Sequence, residues 1–98
     1  MSVELIDFDA ALFLKNEDDI ADYLTDLLAD GNAALTQHAL GVAVRAAGMM
    51  KICGKTGLTR QGIAKATRAS SKPSFQTVLS IVQGLGLEVQ FVQQHRAA

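Results

Sequence analysis

Arg60, Gln61, Ala64, Lys65 and Arg68 fall on one side of a short segment whose other side carries Leu58 and Ile63. That combination has a specific use in the major groove of DNA. Arginine can bond a guanine at two points, glutamine can do the same for an adenine, and a small alanine can approach a thymine methyl. Lys51, ahead of this segment, and Ser70, Ser71 and Lys72, behind it, are suited to phosphate oxygens, which fix register without reading bases. Left to itself, a charged face on a short helix is only a solvated surface. What raises this one above that reading is the turn in front of it. Gly57 supplies a positive φ, Leu58 plugs the angle between two helices, and Thr59 caps the second.

The charge distribution points the same way. Residues 1–30 hold nine acids against Lys15, a net of −8, whereas residues 31–98 hold eight bases against Glu88, a net of +7. The total of −1 conceals the division. One half suits a polyanion and the other a basic surface. Within the acidic half, Asp18, Asp19, Asp22 and Asp26 lie on one helical stretch with like charges at i, i+4, a mutual repulsion that a basic partner would relieve. A solvated face, with its first-turn acids favoured by the helix dipole, is the competing reading.

Other chemistries find little support. Gly54-Lys55-Thr56 ends like a phosphate-binding loop, but five residues rather than four separate Gly48 from Gly54, and no buried strand precedes it. His38, His95 and the lone Cys53 give neither a metal site nor a disulfide, so no cofactor is expected. The acids have no nearby His, Cys or Lys to make a catalytic pair, and no catalytic residue is assigned; an enzyme is the least favoured class. The acidic N-terminus lacks the pattern of a signal peptide, and no stretch approaches the ~18 apolar residues of a spanning helix, so the expectation is a cytoplasmic protein without a membrane segment.

The elements that must position these residues can be read from capping and periodicity. At 98 residues and 49 % hydrophobic, the chain makes one domain with one small core, and its Ala, Leu, Val and Ile favour helices. Asn16 precedes a helix over about 17–29, in which Ile20, Tyr23, Leu24, Leu27 and Leu28 form an apolar stripe; a short turn over 9–14 precedes it, and residues 3–8 form either a strand or an extended arm. Asn32 caps a second helix through about Ala47 with Leu35, Ala39, Leu40, Ala43 and Val44 inward, ended by Gly48. A third covers 50–56, with Met49 and Met50 filling gaps, and a fourth about 60–68. Ser74 caps a fifth, with Phe75, Val78, Leu79 and Val82 inward and Gly84 closing it. Leu87, Val89 and Phe91 then alternate with Glu88, Gln90 and Val92, the period of a strand. Such a strand needs a partner, either residues 3–8 or a second copy, and the second choice makes Leu87, Val89 and Phe91 a dimerisation surface. The expected whole is an all-α, five-helix domain over 1–98, with an acidic segment 1–30, a helix-turn-helix core 31–84 and a strand and tail 85–98.

With that motif in place, the chain resembles the addiction-module antidote family, HigA-like antitoxins related to Cro/repressor-type domains. The likeness rests on Phe8-Asp9, on the run from Leu14 to Leu24, on Thr56-Gly57-Leu58-Thr59-Arg60, on Lys72-Pro73-Ser74-Phe75 with Val78-Leu79, and on Leu85-Gly86-Leu87. The resemblance implies a repressor of its own operon that neutralises a small basic toxin of the RelE/HigB kind. It places residues 60–68 in DNA and Leu58 and Ile63 in the core. Gly62 and Ala64 depart from the bulkier or polar residues usual there, and Thr67 from an apolar one. The family does not fix the toxin contacts; their assignment to the acidic helix comes from charge alone. Two other readings compete. One is a stand-alone prophage-type regulator, to be told apart by whether the neighbouring reading frame encodes a small basic protein. The other is a pure inhibitor whose DNA binding is vestigial.

Overall fold

The computed structural model describes residues 10–29, 31–68 and 70–93. These residues form a 3₁₀ turn, Ala10–Phe13, and five α-helices: α1 Glu17–Leu28, α2 Ala33–Ala47, α3 Met49–Thr56, α4 Arg60–Ala66 and α5 Phe75–Gly84. The expected strand or arm at 3–8 lies outside them.

Local chemistry starts the helices where the sequence predicts. Asn16 Oδ1 accepts from the Asp19 N–H at 2.8 Å, and the Asp19 carboxylate accepts from the Lys15 N–H at 2.9 Å, so side chain and backbone close the first turn of α1 reciprocally. Asn32 accepts from the Leu35 N–H, Thr59 from Gly62 and Ser74 from Thr77. Gly48, at φ 107°, lets α2 break directly into α3, which begins one residue before the expected start. Gly57, at φ 78°, is the left-handed residue the turn between α3 and α4 requires.

The helix ends depart further from expectation. α4 stops at Ala66 and leaves Arg68 outside it, because the Thr67 hydroxyl donates back to the Ile63 carbonyl at 3.0 Å and the Arg68 N–H closes a tighter turn on Lys65. α5 does end at Gly84, as expected, but Gly84 is not its left-handed closing residue. A Cβ there would stand 2.6 Å from Thr56 Cγ2, so this glycine allows α5 to lie close against α3. The terminator is Gly86, at φ 84°: its N–H bonds the Gln83 carbonyl and the Leu87 N–H bonds that of Val82, the paired closure of a Schellman end.

Every helix contributes to one core. Ile52, Ile63 and Ile81, from α3, α4 and α5, are wholly buried, and Ile20, Leu24, Ala39, Leu40, Ala43, Val44, Ala66 and Leu85 complete the cluster. The sequence misplaces several side chains. Leu35 is largely outside the core while Val42 is buried; Phe75 and Met50 are 71 % and 72 % exposed, and only Met49 of the adjacent methionines packs inward. Phe75 and Met50 sit in the first turns of α5 and α3 and face solvent, while Leu35, near the start of α2, lines a groove beside α1.

The expected strand at 87–91 does not form among the described residues. Residues 87–93 have no regular secondary structure. Alternation sets which side chains share a face, but a strand exists only when a neighbouring backbone takes up its N–H and C=O groups.

Candidate nucleic-acid interface

α4 is held at both ends and from behind. Thr59 caps its first turn, and Ile63 and Ala66 turn into the core. Arg60, Gln61, Ala64 and Lys65 are consequently exposed together. A side chain at Gly62 would stand 3.0 Å from Thr59 Oγ1, so the small residue leaves the cap undisturbed.

The segment after α4 is ordered by a residue the sequence reading passed over. Gln37, on α2, is buried, and its Nε2 shares two hydrogens among the Ala66 carbonyl at 3.2 Å, the Ser71 carbonyl at 2.8 Å and Ser71 Oγ at 3.1 Å. Ser71 Oγ in turn donates to the Arg68 carbonyl at 3.0 Å. This network brings Ser71 and Lys72 round to Lys65, and the three line one cavity of about 240 Å³ with Gly62, Pro73 and Thr77. The signal was present in the sequence: Gln37 falls three and seven residues before Leu40 and Val44, in register with the buried face, where a polar group must find partners.

Replacing Gln37 with leucine is expected to cost about 1–3 kcal/mol in chemical denaturation, because carbonyls it serves lose their donor in a buried setting. The Ser71 amide should exchange faster as the loop loosens. An exchange rate equal to that of the native chain would show that Gln37 does not hold this loop.

Lys51 and Arg68 are placed differently. Lys51 is exposed but lines a separate cleft with Lys15, Asn16 and Glu17. Arg68 is exposed on the loop rather than on α4.

Away from α4, Asp18, Asp22 and Asp26 are exposed at i, i+4 and i+8 along α1. Asp19 is set apart from them, since its carboxylate serves the cap. At the C-terminal end, Leu87 packs against the core while Val89 is half-exposed and Phe91 is 96 % exposed.

A family model described as "Probable addiction module antidote protein" matches residues 4–93, nearly the whole chain. The chain belongs to this antidote family. A protein of Haemophilus influenzae, named only as an uncharacterized protein, is 39 % identical over 98 residues, covering all of both chains. No solved structure matches. Membership implies a toxin partner for this antidote-family chain. No helix among the described residues is long and apolar enough to cross a membrane.

Proposed function

We propose that the chain is a DNA-binding antitoxin of a type II toxin-antitoxin module, HigA-like in kind, which represses its own operon and neutralises a RelE/HigB-like toxin. Under this reading α3, the turn at Gly57 and α4 form a Cro/repressor-type helix-turn-helix, with α4 entering the major groove. The observation that carries it is the joint exposure of Arg60, Gln61 and Lys65 on a helix whose opposite face is fixed by Ile63 and Ala66. A rigid element fixes the positions from which these side chains reach out, and bidentate donors of this kind discriminate between base pairs. Lys65, Ser71 and Lys72, gathered round one cavity, are suited to the flanking phosphates.

The acidic stripe on α1 serves the second partner. Asp18, Asp22 and Asp26 form a negative surface that a cationic toxin would neutralise, and charge of opposite sign speeds the encounter. The chain acts as a homodimer, in which the tails of two copies pair with each other as strands. Leu87, Val89 and Phe91 form the contact, and the exposure of Phe91 supports it.

The decisive experiment has two arms. Purified protein should retard DNA from its own upstream region with an affinity that falls steeply as salt rises. It should also co-purify with the product of the adjacent small gene. Retardation without that complex would favour the stand-alone regulator, and failure of both would remove the reading.

A further inference from the structure

Between the Ala10–Phe13 turn, α1 and α2 runs a groove of about 550 Å³. Its walls are apolar: Phe13 and Leu14 from the turn and its end, Tyr23 and Leu27 from α1, Leu35 and Val42 from α2, with His38 and Arg45 as its basic lining residues. Leu12, 70 % exposed, and Phe13, 61 % exposed, extend the apolar surface beyond the groove. Apolar surface gathered in this way and rimmed by charge is characteristic of a site where another molecule docks.

Outside the groove, beyond its α1 wall, the surface charge turns acidic. Asp22 and Asp26 are the sequence neighbours of Tyr23 and Leu27, so they stand within about 100° of them round the α1 axis, directly beside the α1 wall. We propose that this groove receives the toxin, through a segment that inserts a row of apolar side chains between α1 and α2 and sets lysines or arginines against Asp22 and Asp26. The proposal rests on the reading of the chain as an antitoxin and adds to it the place and the division of labour. Apolar insertion holds the complex, and the acidic stripe draws the partner in and sets its direction. A second groove, of about 450 Å³ on the other flank of α1, suits the toxin less well, since residues 86–90 of the tail form one of its sides and make it continuous with the proposed dimer surface.

The test uses the full-length protein and the purified product of the adjacent gene, titrated at low and at high salt. Leu27→Gln combined with Leu35→Gln is expected to weaken binding by about tenfold or more at both salt concentrations, through faster dissociation. Asp22→Asn combined with Asp26→Asn should slow association at low salt, with the difference from the native chain fading at high salt. Met50→Gln, an exposed apolar change on α3, should bind as the native protein does. Because Leu35 is already partly exposed, Leu35→Gln alone serves as a second variant if the pair fails to fold.

Native affinity in the groove variants, with the aspartate variants weakened, would overturn the groove and leave the antitoxin reading intact. So would native affinity with a shift from dimer to monomer, which would give the groove to a second copy, or with a lower Tm, which would give it to the chain's own residues. Weakening by Met50→Gln equal to that of the groove pair would likewise overturn it. If the native protein binds no product of the adjacent gene at either salt, the antitoxin reading itself fails first.

Discussion

Arg60→Ala combined with Gln61→Ala is expected to weaken binding to the chain's own upstream DNA between about thirtyfold and about twenty-thousandfold, since each bidentate base contact contributes roughly 1–3 kcal/mol. Both residues are exposed on α4, so the variant should fold with native stability and keep its toxin partner. A contrasting variant, Lys72→Ala, removes a phosphate contact rather than a base contact. It should weaken binding uniformly across DNA sequences and lower the salt dependence by about one unit of slope. A band-shift titration at several salt concentrations separates the two behaviours. Were the double variant to bind as tightly as the native chain, α4 would not be the reading element.

The second large effect is on stability. Ile63 is wholly buried and is one of only two residues of α4 that enter the core, so Ile63→Ala should cost about 2–5 kcal/mol. For a domain expected to hold roughly 5–15 kcal/mol in total, that is a large fraction, and Tm should fall by roughly 10–30 °C. A seven-residue helix cannot persist by itself in water, so operator binding should weaken with it even though no DNA-facing side chain has changed. Denaturant unfolding gives the check: the midpoint should drop with the slope preserved. A loss under about 1 kcal/mol would mean that α4 is not seated on the core.

These two variants separate functions that share a seven-residue helix. One face of α4 is fixed to Ile52 and Ile81 through Ile63, and the other is left to solvent with its donors aligned. The Gln37 network performs a similar task for the loop behind it, trading a buried amide for the position of Ser71 and Lys72. α1 lies at a different part of the fold, packed on α2 with its acids outward, so the two partners proposed above would meet different elements of the same chain.

The sequence alone determined where helices begin, where the chain turns sharply, and how charge is divided. Asn16, Asn32, Thr59 and Ser74 cap the helices they precede, and Gly57 is left-handed, because a cap or a turn involves residues at most a few positions apart. The exposed donors of α4 were legible for the same reason: the period of one short helix fixes which residues oppose Ile63. Burial depends on what arrives from elsewhere in the chain. Phe75 has core spacing yet is left facing solvent, and Leu35 reaches only the groove beside α1, whereas Gln37 enters the core and finds its partners 29 and 34 residues away. Gly84 could be told from Gly86 only once α3 lay against α5, since close approach and helix termination call for the same residue. The tail shows the limit of both: period two marks Leu87, Val89 and Phe91 as one face, but a strand is a property of two backbones, and among the described residues none pairs with 87–93.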